Sequence, residues 1–233
     1  MKDQTKHILN EYLTFEAKWD KANKSVREAY INAEPELLQN FRYTIDGLIL
    51  KIISNLFGEF NEPSDQLRYE LDLITSFIKS HFIINDLVFS GHQIEAYTLT
   101  RKQLEVLTRL IELETKSLAK LEKRTPNVNH IFGEVGKSIY PDLSETAHFA
   151  SPRVGQFISG QTEDGKSGPT LYPQYSPTQE SCYKRHAFIS IYFLFWLIEF
   201  VSTKKDDYDF QNDLKSVEIV EQMALDLDII RTK

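Results

Sequence analysis

Two residue pairs in this chain have the types and spacing of acid–base machinery. Arg124 and His130 lie six apart in Arg124-Thr-Pro-Asn-Val-Asn-His130. An arginine that neutralises a phosphodiester and a histidine that moves its proton are the parts of metal-free RNA cleavage. Pro126 stands between them, so they do not share a regular helix. Ser144 and His148 are four apart in Asp142-Leu-Ser-Glu-Thr-Ala-His148, one helical turn. A nucleophilic serine also needs an oxyanion hole and a group that orients the histidine, and no Gly-x-Ser-x-Gly elbow is present. The ordinary reading makes Asp142 or Ser144 a helix cap and His148 a partly buried histidine.

A third polar set, Glu95, Arg101 and Glu105, lies at helical spacings within Gly91 to Lys123, which reads as one long helix. Arg101 and Glu105 share a face. The ordinary reading is a surface ion pair among several, since Glu105–Arg109 and Glu112–Lys116 have the favourable acid-first order and each contributes a few tenths of a kcal/mol. Arg101–Glu105 has the less favourable order, which weakens a purely local explanation. His81, Asp86 and His92 are not at metal-ligand helical spacing. No Gly-rich phosphate loop and no Glu-x-x-His repeat occurs. No metal and no cofactor is expected.

These residues must be carried by helices. The chain has 233 residues, 41% of them hydrophobic, and only nine Gly and eight Pro, a texture of long uninterrupted helices in one domain spanning 1–233. Ile8, Tyr12, Phe15 and Trp19 mark a first helix over about 6–22, which Val26, Ala29, Tyr30 and Ala33 extend or follow as a second piece. A second helix runs from about Pro35 to Phe57, with Gly58 as its stop. A third runs from Ser64 or Asn61 as cap to Phe89, and Ser90-Gly91 breaks the chain before the long helix, which stops before Pro126. Short helices are expected near 129–136 and 141–149. The stretch 159–181 reads as a mobile loop insertion with a β-hairpin across Thr162–Gly168. Two helices close the chain: about Pro177 to Thr203, hydrophobic nearly all round, and about Asp209 to Arg231, capped by Asp206 or Asp207. The fold class is all-α, an up-and-down helical bundle with a long irregular insertion before the last two helices.

Charge narrows the partners. The balance is −7, with no run of cations longer than Lys204-Lys205 or Lys184-Arg185, which suits a general nucleic-acid binder poorly. RNA stays open as a partner through a local groove. The single cysteine, Cys182, forms no internal disulfide, and reducing, cytoplasmic conditions fit. The N-terminal residues lead directly into an amphipathic pattern, so no signal peptide is expected. The most apolar run, Ala187 to Val201, is shorter than the roughly 20 residues of a membrane span and reads as a buried helix. Association with a protein partner or a second copy is expected, and no membrane.

Ser90-Gly-His-Gln-Ile-Glu-Ala96, then Arg101 and Glu105, then Tyr140-Pro-Asp-Leu-Ser-Glu-Thr-Ala-His148, resembles a group of bacterial all-helical proteins with a Gly…Glu-Ala…Arg…Glu helix and a Leu-Ser…His segment. That group is similar to the HEPN-like domains of toxin–antitoxin and phage-defence systems. The resemblance covers about Phe77 to Pro152, and the long apolar helix that follows. It implies an all-α bundle in which Arg101, Glu105 and His148 come together as a polar cluster. Two versions follow. In one, the cluster holds the Ser144–His148 segment and the 159–181 loop in place for binding. In the other, His148 is the acid/base of a hydrolytic reaction and Arg101 neutralises a phosphate or carboxylate. Active HEPN ribonucleases carry an Arg-x(4–6)-His motif on the last helix. Arg124–His130 has that spacing but lies in a proline-broken loop. The expectation is therefore a binding protein of stress or phage defence. An RNA-cleaving enzyme is the first alternative and a helical dimerisation module the second.

Overall fold

Helical periodicity governs almost the whole chain in the computed structural model, which describes residues 2–56, 63–161 and 167–230. In order these are α1 (Lys2–Ala33), α2 (Glu36–Ser54), α3 (Asp65–Phe89), α4 (Gln93–Thr115), α5 (Leu118–Leu121), α6 (Val128–Ala147), a 3-10 turn (Pro152–Phe157), strands β1 (Ser159–Gln161) and β2 (Ser167–Pro169), α7 (Thr178–Ser202) and α8 (Phe210–Asp226). The fold is all-α, as expected.

The first helix is a single piece reaching Ala33, because Ile8, Tyr12, Phe15, Trp19, Val26 and Tyr30 keep one face in register and no Gly or Pro interrupts them. Only the second half of that face is covered: Val26 and Tyr30 are buried, whereas Ile8, Leu9, Tyr12 and Leu13 are exposed. α2 begins after Pro35 and ends at Ser54, and Gly58, the expected stop, lies outside the described residues. Ser64 caps α3 by accepting from the Leu67 amide at 3.1 Å. α3 ends where Gly91 takes φ 82°. The His92 amide then donates to the Leu87 carbonyl (2.8 Å) and the Gly91 amide to Val88 (3.1 Å), a Schellman closure that turns the chain directly into α4. A side chain at 91 would be strained at that φ, and its Cβ would stand 3.1 Å from the Gln174 carbonyl oxygen.

α4 is shorter than its apolar stripe suggests. The chain goes extended at Lys116 (φ −130°, ψ 139°), and Leu118 and Leu121 belong to the separate α5. α6 replaces the two expected short helices: its kink at Gly133 (φ 52°, ψ −129°) falls within the first of them, and the helix then runs on through the expected break, with Pro141 inside its second part. β1 and β2 pair antiparallel with Gly160 opposite Gly168, so the expected hairpin exists, with β1 lying before Thr162, β2 reaching Pro169, and residues 162–166 outside the described set. Asp209, not Asp206 or Asp207, caps α8, which ends at Asp226.

α7 is the central element. Phe193, Leu194, Leu197 and Val201 are fully buried, and Phe193 stacks on Phe77 of α3 at 3.8 Å between centroids. By length and composition α7 could cross a membrane, but 67% of its most apolar window is buried inside this fold. Polar groups penetrate the core beside it. His81 Nε2–H donates to Asp46 of α2 (2.6 Å), and His81 Nδ1 lies 3.0 Å from Ser190 Oγ. His186 Nδ1 lies 2.9 Å from Gln103 Oε1, and Gln103 Nε2 donates to the Phe77 carbonyl (3.1 Å). An amide oxygen accepts only, so His186 carries its proton on Nδ1 and its buried Nε2 has no partner.

Burial and the neighbouring His81 push the His186 pKa well below the ordinary histidine value. The unfolded chain gains a proton as pH falls through about 6.5 and the folded chain does not. Stability is therefore full above that pH and lost below it. Chemical denaturation should show wild type losing about 1 kcal/mol more than His186→Asn between pH 7 and 5.5. Equal losses in the two proteins would contradict the assignment.

Candidate functional site

Arg101 is the meeting point of α4 and α6. It sits on the α4 face turned toward α6, and its planar guanidinium reaches three partners. Nε donates to Glu105 Oε1 (3.1 Å), Nη2 to the Tyr140 hydroxyl (3.0 Å), and Nη1 to His148 Nε2 (2.5 Å). The Tyr140 hydroxyl in turn donates to Glu105 Oε1 (2.8 Å), closing a ring of hydrogen bonds. The Arg101 guanidinium also lies 5.1 Å from the Tyr140 ring centroid. Arg101 and Glu105 side chains are 22% and 26% exposed, whereas His148, expected to be partly buried, is exposed, so the cluster is open to solvent on its His148 side. Arg101, Glu105 and His148 thus lie together, and Tyr140 is the member that sequence reasoning missed. Its signal was available: Tyr140, Ser144 and His148 recur at i, i+4 and i+8 on one helix.

The hydrogen bonds decide what this cluster can do. A guanidinium has donors only, so His148 Nε2 accepts and the imidazole proton sits on Nδ1. A general base needs a free lone pair, and that lone pair is engaged. Ser144 is not poised as a nucleophile either. Its hydroxyl is buried without a partner, and only its backbone carbonyl meets His148, accepting from the His148 amide at 3.0 Å. The Ser144–His148 pair is a helix turn, not a catalytic dyad. The Arg101 ring acts as a clamp on the C-terminal end of α6, where His148 is the capping residue.

The Arg124–His130 pair is not brought together. Both residues are exposed, and no hydrogen bond or ion pair joins their side chains. The Arg124 carbonyl accepts from Arg109, and the His130 amide is bound by the Asn127 side chain (3.2 Å) as the cap of α6. Arg109 and Glu112, expected on a solvated face, are buried at 5% and 4% exposure. Arg109 donates to the Leu121 carbonyl (2.6 Å) and pairs with Glu112 (3.5 Å), so it holds the return from α4 to α6. The expected Glu105–Arg109 pair is replaced by Glu105–Arg101, while Glu112–Lys116 forms at 3.5 Å. Among the described residues no group of three His, Cys, Asp or Glu is placed to hold a metal ion. Asp46, His81 and Ser190 follow one another as in a hydrolase triad, but His81 and Ser190 are fully buried and Ser190 Oγ donates to the His186 carbonyl (3.1 Å), so the set is core structure.

Beyond the clamp the chain builds a recess. From His148 it runs through Phe149 (φ 51°) into the 3-10 turn, which Arg153 fastens to α6 through Glu145 (2.6 Å) and Asp142 (3.5 Å). Arg185 of α7 joins the same Asp142 at 3.2 Å and donates to the Tyr97 hydroxyl. Burial, with Cys182 adding to it, raises the Tyr97 pKa to about 12. The end of the 3-10 turn, the start of β1, the loop Thr170–Pro177, the N-terminus of α4 and Trp19 enclose about 350 Å³. Buried glutamines pin the loop. Gln179 Nε2 donates to the Val88 carbonyl (2.6 Å) and its Oε1 accepts from the Ser176 amide (2.7 Å), while Gln93 accepts from Thr178 (2.8 Å). Trp19 stacks on His92 at 5.1 Å, and His92 Nε2 meets Asn23 Oδ1 at 2.9 Å. Sequence reasoning missed this recess, for which the only signal was the length of the loop.

Compared with protein families, with curated proteins and with solved structures, the chain matches none.

The clamp has a measurable coupling. Arg101→Ala should lower the unfolding free energy by about 2 kcal/mol, since it removes several charge-assisted bonds at a partly shielded site. Arg101→Lys should recover less than half of that, because an ammonium cannot reach Glu105, Tyr140 and His148 together. A double-mutant cycle with His148→Ala should give a coupling of about 1 kcal/mol. A coupling near zero would show that the Arg101–His148 contact contributes nothing.

Proposed function

We propose that this all-α protein works by binding, with the recess at the N-terminus of α4 as its ligand-facing surface. In this reading the Arg101 clamp is a positioning device. It fixes the end of α6, and with it the 3-10 turn and hairpin that wall the recess. The observation that carries the proposal is a set of exposed apolar side chains around a pinned cavity. Ile158 is 41% exposed, Leu171 75% and Tyr175 39%, on segments that buried glutamines and arginine–carboxylate pairs hold in place. Large apolar groups displayed on a fixed framework around a cavity of this size are the features of a binding site. The resemblance adds the setting, stress or phage defence.

The nuclease reading has less support, because Arg124 and His130 are unconnected and the His148 lone pair is engaged by Arg101. Two measurements test the choice. RNA incubated with wild type, His130→Ala or His148→Ala should degrade at the same background rate, and cleavage lost on either substitution would restore the enzyme. In ¹H–¹⁵N spectra the Trp19 indole signal should move on titration with at least one class among small organic cations, anions and neutral apolar compounds. A signal unmoved by all three would remove the recess as a binding site.

A further inference from the structure

The recess has an unusual charge content. Among the described residues that line it, Glu95 is the only one with a charged side chain. Glu95 is exposed, and among the described residues it has no hydrogen-bond or ion-pair partner. Three cations of the adjoining grooves are paired elsewhere, Arg27 to Asp86 (2.9 Å), Arg153 to Glu145, and Arg185 to Asp142 (3.2 Å), and Lys24 borders the groove on the far side of His92. The walls around Glu95 are aromatic and amide-rich: Trp19, His92, Phe157, Tyr172 and Tyr175, with Gln156 beside them. Burial lowers the His92 pKa, against the opposing pull of Glu95, so this ring adds no positive charge near neutral pH. Its Nε2–H faces the Asn23 side-chain oxygen, which leaves Nδ1 as an acceptor.

From these features we infer that the recess takes an organic cation, an ammonium or guanidinium group on a hydrocarbon stem, with Glu95 as counter-charge and Trp19, Tyr172 and Tyr175 as its aromatic surroundings. The inference rests on the reading of this recess as a binding site. It is decided by comparing the ligand classes. An anion would meet only the N-terminal end of α4, equivalent to roughly half a positive charge, and would face the full negative charge of Glu95. A neutral apolar ligand would strip water from that carboxylate and give it no partner. A cation pairs the carboxylate, and its polarised C–H or N–H groups meet ring faces. The α4 terminus does not cancel this preference. Its roughly half charge is smaller than the full charge of the first-turn Glu95 carboxylate, so the net local charge stays negative. A cavity of about 350 Å³ accommodates a long cationic side chain or a small amine and excludes a folded domain.

The test uses the full chain labelled with ¹⁵N, with the Trp19 indole signal assigned by Trp19→Phe. The probes are choline, agmatine, N-acetyl-arginine amide, its neutral isostere N-acetyl-norleucine amide, and N-acetyl-glutamate amide. The three cations should shift the Trp19 signal with millimolar affinity, and the norleucine and glutamate probes should bind at least tenfold more weakly. Glu95→Gln, an isosteric change at an exposed site, should weaken cation binding at least fivefold while leaving the other indole signal in place. Added salt should weaken binding to wild type and not to Glu95→Gln. Tighter binding of N-acetyl-arginine amide than of agmatine would identify the source as a cationic side chain of a partner chain, and the reverse a free amine. Preference for the norleucine or glutamate probe would overturn the cation assignment while keeping the recess as a site, as would unchanged affinity in Glu95→Gln. Silence with every probe would overturn the assignment together with the binding reading.

Discussion

One arginine side chain makes the end of α6 a defined place. Arg101 leaves α4 and meets Glu105, Tyr140 and His148 at once, which only a planar five-donor fork can do. Two of these partners belong to α6, and the third is held by one of the two through the Tyr140–Glu105 bond. The chain from Phe149 to the hairpin is short, a 3-10 turn between irregular links, and it reaches the core through Val154 and Phe157. Such a segment takes its position from what holds its ends. The Arg101 ring holds one end, Asp142 with Arg153 and Arg185 holds the middle, and Gln179 holds the loop that returns to α7. The recess inherits its shape from these polar ties more than from a hydrophobic wall.

The core follows a similar logic at greater depth. Asp46, His81 and Ser190 link α2, α3 and α7, and His186 with Gln103 links α7 to α4. Buried polar groups cost desolvation unless they are paired, so such links favour the one helix register that satisfies them over neighbouring registers that satisfy the apolar stripes equally well. α7 is apolar nearly all round, and apolar packing alone says little about its rotation. His186 and Ser190, one turn apart, set it.

Much of this was legible in the residues. The apolar stripes of α2, α3 and α7 and the Ser90-Gly91 break placed those helices to within a few positions, because local periodicity and a left-handed glycine act within one turn. The end of α4 was not legible. Leu118 and Leu121 continue its stripe, and the break at Lys116 comes from a tertiary cause, the burial of Arg109 and Glu112 under the chain that returns to α6. For the same reason those two residues read as solvated when they are core. The Arg101–Glu105–His148 cluster was legible only through the motif resemblance, since four-residue spacing on one helix does not say which helix will face it. Tyr140 escaped because it precedes a proline and marked a helix start in the reading. The recess escaped altogether: Trp19, Glu95, Phe157 and Tyr175 come from four separated segments, and nothing local links them.

The central claim is that the Arg101 clamp positions the recess wall, and hydrogen exchange resolved by peptide measures it directly. In Arg101→Ala, peptides covering Ala150 to Gly160 should exchange about tenfold faster or more than in wild type, the effect of losing some 1.4 kcal/mol of local protection, while peptides from α2 and α7 stay protected over the labelling times in which that segment exchanges and follow only the lowered global stability at long times. Unaltered exchange over Ala150 to Gly160, or acceleration spread evenly over the whole chain, would contradict the account.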